Sequence, residues 1–285
     1  MKIIEKISEM QKLSNTWRTQ GKKIGFIPTM GYLHEGHLSL IRAAAEKSDI
    51  VVMSIFVNPT QFGPGEDYET YPRDYESDFK LAEENGVNVV FYPDVEEMYP
   101  QKQLTKVNIS EKTDILCGKD RPGHFQGVTT VVTKLFNIVK PHVAVFGQKD
   151  AQQVAVIQTM VRDLNMDINI IITPIVREKD GLAMSSRNVR LTEDQRRNAV
   201  ILSQTLFWIR EKIESGQTNY YDILNEGRRR IGNHGADTDY LEILTYPELL
   251  KPDGKTERKL VAVAARFGNV RLIDNVIIGG IESRD

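Results

Sequence analysis

A single cysteine, Cys117, stands in 285 residues, so no internal disulfide can staple this chain. No run comes near the ~20 consecutive apolar residues that a helical membrane span requires. The opening Met1-Lys2-Ile3-Ile4-Glu5-Lys6-Ile7 lacks the apolar core of a secretory leader and carries an acidic residue. Charge of one sign is missing too. The 37 basic and 39 acidic side chains leave a formal charge of −2 and a pI near 6.3, without the basic excess of a dedicated nucleic-acid binder. No internal repeat or low-complexity tract is visible. These absences lead us to expect a cytoplasmic, soluble protein that works on neither membranes nor nucleic acid.

What is present is ordinary for a globular chain: 40% apolar residues, 27% charged residues and 20 glycines. At roughly 150 residues per domain, the length suggests about two domains. Apolar residues at 3, 4, 7, 10, 13 and 17 predict a helix over Ile3–Thr19. The short run Lys23–Pro28 reads as the first strand, and His37–Ala45 as a helix. Ile50–Val57 is β-branched and nearly all apolar, as a strand covered on both faces should be. Helices at Asp74–Glu84, Val128–Lys140 and Ala151–Leu164 alternate with strands at Val87–Tyr92, Val143–Phe146 and Ile168–Ile172. That alternation predicts an α/β domain over 1–175, a Rossmann-like parallel sheet with helices on both faces. Ligands in such sheets bind beyond the carboxyl ends of the strands.

After Pro174 the pattern changes. Thr192–Ile213 reads as one long amphipathic helix with Thr192 as N-cap, followed by a helix at Tyr220–Ile231. Strands are predicted at Tyr240–Leu244, Leu260–Phe267 and Val270–Ile278, with a turn at Lys251–Lys255. We expect a smaller α+β domain over 176–285 that closes over the active site.

Four segments fall where chemistry is expected. Pro28-Thr29-Met30-Gly31-Tyr32-Leu33-His34-Glu35-Gly36-His37 leads from the strand into a helix. It lacks the G-x-G-x-x-G of a dinucleotide site and carries His-x-Gly-His instead. Imidazoles three apart on an opening turn share one side, and a helix N-terminus attracts anions. Such a pair can donate to phosphate oxygens as charge builds; the competing reading is two histidines capping a solvated helix. Zinc is disfavoured, because no third ligand lies nearby at metal spacing. Gly147-Gln148-Lys149-Asp150 also follows a strand and opens a helix. Lys149 there opposes the helix dipole and calls for an anion; Asp150 suits ribose hydroxyls or a simple N-cap. Gln153 lies one turn on. Met184-Ser185-Ser186-Arg187-Asn188 supplies hydroxyls and a cation that can close over a polyphosphate, or is an ordinary polar loop. In Asn58-Pro59-Thr60-Gln61-Phe62, the Gln61 amide can donate and accept, which suits a hydroxy acid, or merely shapes a turn. Tyr71-Pro72-Arg73 and Arg121–Gly127 could face the same cleft.

Together these segments resemble the adenylate-forming nucleotidyltransferases of the His-x-Gly-His type. Their wording is similar to the pantoate–β-alanine ligase family: Pro-Thr-Met-Gly-x-Leu-His-x-Gly-His, Asn-Pro-x-Gln-Phe, Tyr-Pro-Arg, Arg-Pro-x-His-Phe-x-Gly-Val, Phe-Gly-x-Lys-Asp-x-Gln-Gln and Met-Ser-Ser-Arg-Asn. The resemblance runs from about Gly21 to Asn275. It implies a homodimer that joins pantoate to β-alanine with ATP and magnesium, releasing AMP and pyrophosphate through a pantoyl-adenylate.

By that resemblance Met30, Gly31, Tyr32, Leu33, His34, Glu35, Gly36 and His37 contact ATP. His34 and His37 sit on its phosphates, and His37 matches the position named as proton donor; with Lys149 they form the catalytic set. Gly147, Gln148, Lys149 and Asp150 hold ribose and phosphate. Val176 gives a backbone contact to adenine, and Met184, Ser185, Ser186 and Arg187 close over adenine and phosphates. Gln61 and Gln153 bind pantoate, with Gln61 also near β-alanine. Gln148 and Ala151 depart from the Glu and Tyr of many members. For magnesium, phosphate oxygens and water would supply most of the shell, and Asp78 is a candidate side chain. The alternative is a nucleotidyltransferase of the same superfamily acting on a phosphorylated acceptor. That chemistry needs a cationic acceptor site, whereas Gln61 and Gln153 are neutral.

Overall fold

A computed structural model describes residues 1–253 and 258–279. Six strands form one parallel sheet: β1 (Lys2–Ile4), β2 (Ile24–Thr29), β3 (Ile50–Ile55), β4 (Val89–Phe91), β5 (Val143–Gly147) and β6 (Asn169–Thr173), in the order β1-β4-β3-β2-β5-β6. Alternation along the strands sorts side chains to two faces. Ile24, Phe26 and Val52 join one core with α1 (Ile7–Thr19), α6 (His124–Val139) and α7 (Ala151–Asp163). Ile27, Met53 and Val145 join the other with α2 (Glu35–Lys47) and α3 (Tyr75–Glu84). Two short helices, α4 (Val95–Met98) and α5 (Leu116–Asp120), lie in the connection from β4 to α6. The predicted Rossmann-like architecture is therefore observed.

The order places β2 at the switch point. The chain leaves β2 for β3 on one side and later returns to β5 on the other. β2 and β5 pair only through Gly25↔Val143 and Phe26↔Ala144. A crevice opens beyond their carboxyl ends, where such sheets take ligands. The loops carrying Met30–His37 and Gln148–Gln153 meet there.

A second layer follows, with α8 (Glu193–Ala199), α9 (Ile201–Glu214) and α10 (Tyr220–Gly232). Strands β7 (Asp237–Thr245), β8 (Lys259–Phe267) and β9 (Val270–Ile278) form an antiparallel sheet in sequence order. One face, with Val261 and Val263, packs under α9 and α10. The other, with Leu260 and Ala262, packs on Ala151 and Ala155 at the start of α7. The small sheet therefore rests against the helix that opens from the Lys149 loop.

Two expectations need correction, and a third falls partly outside the described residues. Ile3 and Ile4 are not helical: with Lys2 they form β1, which pairs with β4, so Ile24–Thr29 is the second strand. A three-residue edge strand leaves too little alternation to stand out from the helical stripe beside it. Thr192–Ile213 is not one helix. Thr192 caps α8 as expected, with a reciprocal bond to Gln195, but the helix breaks at Val200 and restarts as α9. The turn placed at Lys251–Lys255 lies partly outside the described residues.

Close packing also fixes the site from behind. Pro59–Gln61 is a single helical turn lying against Gly127 of α6. A Cβ at Gly127 would stand 2.3 Å from the Thr60 carbonyl oxygen and 2.7 Å from the Gln61 Cα. Backbone cannot yield as a side-chain tip can, so Gly127→Ala must push the turn away. We expect a loss of about 1–3 kcal/mol, typical of overpacking, read as a lower thermal midpoint. An unchanged midpoint would show that the turn and helix are not in contact.

Candidate active site

The His-x-Gly-His loop is shaped by a buried carboxylate from elsewhere in the chain. Asp78 of α3 is 1% exposed. Its oxygens accept the backbone N–H groups of Tyr32 at 2.8 Å and Leu33 at 2.7 Å. Gly31 has φ +84°, and a Cβ there would lie 2.7 Å from Asp78 Oδ2, so glycine is required at this bend. Both Asp78 oxygens are thus engaged in holding the loop. The candidate magnesium role for Asp78 does not fit this position, and no group of three or more His, Cys, Asp or Glu among the described residues could hold a metal.

His34 is the N-cap of α2. Its Nδ1 accepts the Gly36 N–H at 3.1 Å, and His37 Nδ1 accepts the His34 N–H at 3.3 Å. Backbone N–H groups can only donate, so both Nδ1 atoms are bare and each neutral ring carries its proton on Nε2. The rings lie 4.2 Å apart between centroids. Burial, followed by the charge of Lys149, holds the His34 pKa at about 4. Burial, His34 and Lys149 hold that of His37 well below the usual imidazole value. At neutral pH the loop therefore offers two neutral Nε2–H donors beside a lysine at a helix N-terminus, an arrangement suited to an anion.

Met30, His34, Gly36 and His37 line an inner chamber of about 220 Å³ together with Gln61, Gln153 and Val176. Phe56, Val128, Val131, Val132, Leu135 and Phe146 make an apolar wall on it. The Thr173 hydroxyl on this wall is buried without a protein partner among the described residues. An outer chamber of about 800 Å³ shares Lys149, Asp150, Gln153, Ser185 and Arg187 with the inner one. Asp150 stands at the N-cap position of α7 but makes no capping bond, which leaves its carboxylate to the cleft.

Met184–Arg187 roofs the cleft. The Met184 N–H donates to the Val176 carbonyl at 3.0 Å. Ser186 Oγ lies 3.3 Å from the Tyr71 hydroxyl, and Ser185 Oγ accepts the Arg187 N–H at 3.3 Å. The Arg187 guanidinium forks onto Asp67 at 2.9 and 3.0 Å, and Arg190 reaches the same carboxylate at 2.9 Å. Below, the Asn275 amide of β9 donates to the carbonyls of Gln148 and Lys149, each at 3.0 Å. Its neighbour Asp274 pairs with Arg177 at 2.6 and 2.9 Å.

Not every residue of the sequence motifs reaches the cleft. Gly31, Tyr32, Leu33, Glu35 and Gln148 are not on the chamber walls. Leu33 is buried in the α2–α3 core, Glu35 pairs with Arg42, and Gln148 bonds Asn275. Of the weaker segments, Tyr71 lines the inner chamber, whereas Arg73 binds loop carbonyls of Tyr68, Glu69 and Tyr71. Arg121 forks onto Glu66 at 2.7 and 2.5 Å, and His124 Nδ1 lies 2.8 Å from the Gln61 carbonyl. Sequence reasoning missed Asp67, Arg177, Asp274 and Asn275. Each acts across more than 90 residues of chain, and no local spacing announces such a pair.

A sequence profile of the pantoate–β-alanine ligase family matches residues 2–277. A pantothenate synthetase of Acetivibrio thermocellus is 56% identical over 279 residues, 98% of this chain and 99% of that protein. One from Thermotoga petrophila is 56% identical over 281 residues, 98% of this chain and all 100% of its own. The crystal structure of pantothenate synthetase from Thermus thermophilus superposes with a TM-score of 0.91 at 42% identity, covering 97% of this chain and 99% of that one. A Francisella tularensis pantoate–β-alanine ligase, complexed with β,γ-ATP and β-alanine, gives 0.81 at 37% identity, covering 97% of each chain. With identities this high over nearly all of both chains, the protein belongs to the pantoate–β-alanine ligase family.

Proposed function

We propose that the chain condenses pantoate with β-alanine at the cost of ATP, through a pantoyl-adenylate, with release of AMP and pyrophosphate. The observation that carries this reading is the pairing, in one crevice, of a neutral donor pair beside Lys149 with an apolar wall and two glutamines. In this reading ATP lies across the two chambers. The Nε2–H groups of His34 and His37, with Lys149, take phosphate oxygens, and His37 strengthens its bond as charge moves to the leaving pyrophosphate. Asp150 and the Gly147 backbone hold the ribose, Val176 the adenine, and Met184, Ser185, Ser186 and Arg187 close the roof. Magnesium enters as part of the Mg–ATP substrate, with phosphate oxygens as its ligands.

Pantoate has a dimethyl carbon between two hydroxyl-bearing carbons, one of which carries the carboxylate. The methyls meet Phe56, Val131, Val132 and Leu135, while Gln61 and Gln153 bind the oxygens and Gln61 borders β-alanine. The pantoate carboxylate attacks the α-phosphorus, the bond to the β-phosphate oxygen breaks, and pyrophosphate departs. The β-alanine amine then attacks the acyl carbonyl, and AMP leaves. Positioning and charge neutralisation supply most of the acceleration. We further propose that residues 1–175 and 176–285 act as two bodies closing around the intermediate, which shields it from water. The active form is a homodimer in the cytoplasm. No helix among the described residues is long and apolar enough to cross a membrane.

Three measurements test the reading. ATP and pantoate without β-alanine should support exchange of labelled pyrophosphate into ATP, and Lys149→Ala should abolish it. Stoichiometric ADP without exchange would mean γ-phosphate attack and would overturn the adenylate route. His37→Ala should lower kcat by about 10²–10³, the effect of one transition-state donor, with ATP affinity within a few-fold. The third concerns protonation. Because the folded pKa values lie below the unfolded value near 6.5, the unfolded chain binds more protons below that pH. The histidines therefore cost stability as pH falls below 6.5, for His34 down to about 4. In nuclear magnetic resonance titrations both rings should stay neutral down to about pH 5.5. Mg–ATP should raise the apparent pKa of at least one ring; protonated rings at pH 6 without nucleotide would remove the neutral-donor assignment.

A further inference from the structure

Gln61 has an amide that either donates or accepts, depending on which end faces the cleft. The surrounding hydrogen bonds remove that freedom. Asn58 is 1% exposed, and its two ends meet groups of fixed polarity. The Thr60 backbone N–H, which can only donate, reaches Asn58 Oδ1 at 3.3 Å. The Gly127 carbonyl, which can only accept, lies 3.3 Å from Asn58 Nδ2. Asn58 therefore has one allowed orientation. Its Oδ1 also accepts the Tyr99 hydroxyl at 2.8 Å and the Thr60 hydroxyl at 3.0 Å. Burial raises the Tyr99 pKa, so this hydroxyl keeps its proton to donate.

The remaining Asn58 N–H points at Gln61 Oε1, 3.1 Å away. That bond places the Gln61 carbonyl toward Asn58 and its NH₂ toward the chamber. The NH₂ lies 3.3 Å from the Met30 sulfur, a weak acceptor that leaves it open to a better one. We propose that Tyr99 and Asn58 are positioning residues that hold Gln61 as an obligate donor, so that this corner of the site selects a substrate oxygen bearing lone pairs, such as a carboxylate. Tyr99 lies outside every motif read from the sequence, in the segment that follows α4. The orientation of Gln61 stands on the hydrogen bonds of Asn58, fixed in turn by backbone groups, whereas the selectivity rests on the placement of pantoate at Gln61.

Asn58→Asp separates the two. An aspartate keeps the shape but loses the donor, so Gln61 must turn its NH₂ toward the new carboxylate and its carbonyl toward the chamber. In the substrate-free wild-type protein, the Gln61 side-chain amide protons should show a nuclear Overhauser effect to the Met30 methyl, and the variant should lose it. Pantoate KM should rise at least tenfold, about the cost of exchanging an attractive contact for a repulsive one, with ATP affinity unchanged. Retention of the contact in the variant overturns the orientation. Its loss with an unchanged pantoate KM overturns the selectivity and takes pantoate off Gln61. Should the aspartate variant not fold, Tyr99→Phe removes only the outer hydroxyl. Pantoate KM should then rise about 2–5-fold, the scale of one hydrogen bond, without a matching change for ATP. Equal shifts for both substrates, or a lower thermal midpoint with no KM change, overturn the positioning role.

Discussion

Two backbone N–H groups, those of His34 and Gly36, set the chemistry of the cleft. At most helix N-termini these orphan donors face solvent or a small polar cap. Here two imidazole Nδ1 atoms accept them, so the remaining ring protons sit on Nε2 and face outward. Burial, with Lys149 beside it, keeps both rings neutral. A neutral buried donor carries no desolvation penalty for a charge of its own, yet its bond strengthens when negative charge arrives. The same capping bonds would weaken if either ring were protonated at Nδ1, so helix start and donor pair are one device. Asp78 supports it from beneath by fixing the Tyr32 and Leu33 N–H groups.

The second sheet reaches this device through few but well-placed contacts. Asn275 grips the carbonyls of Gln148 and Lys149, so the lysine loop is read by β9 as well as by its own strand. Asp274 beside it is nearly buried, and burial pushes its pKa up while the Arg177 guanidinium pulls it down. Arg177 opens the segment that ends in the Met184–Arg187 roof, so the ion pair ties that segment's base to β9. At its far end, Arg187 and Arg190 share Asp67. The roof is thus pinned at both ends, to the small sheet and to the loop after Gln61. Removing one partner of the buried pair would leave a lone charge, which is far more costly than the pair is worth.

Alternation of apolar runs and helical stripes was enough to read the parallel sheet, its two covered faces and the change of architecture after Pro174. Local periodicity fails where the signal is short or shared. Ile3 and Ile4 satisfy the helical stripe of α1 as well as the edge of the sheet, and only pairing with Val90 and Phe91 decides between them. At the site, the residues with motif spacing were legible: His34, His37, Lys149, Gln61 and Gln153 share one crevice. Long-range partners were not. Asp78 reads from the sequence as a candidate magnesium side chain, since nothing in its own neighbourhood reveals the loop it serves. The turn reading offered for Gln61 belongs to Asn58, whose Oδ1 accepts the Thr60 N–H. Its second role toward Gln61 appears only once the turn is seen against α6.

The distribution of charge in the cleft follows the two-step chemistry of the proposed reaction. A carboxylate that must attack phosphorus loses nucleophilicity when a guanidinium forks onto it, since such pairs are the strong ones. The end of the cleft with Gln61 and Gln153 carries amides, and Asn58 turns the Gln61 amide to donate. Neutral donors can hold a carboxylate in line while leaving much of its negative charge available. The cations Lys149 and Arg187 stand where the two chambers join, which in the proposed reaction is where charge would depart. Arg187 is held by Asp67, so an arriving phosphate meets a guanidinium already oriented and partly neutralised. In the proposed reaction such a cleft would attract the leaving group more strongly than it quenches the nucleophile, and the apolar wall beside the amides would strengthen both interactions by excluding water.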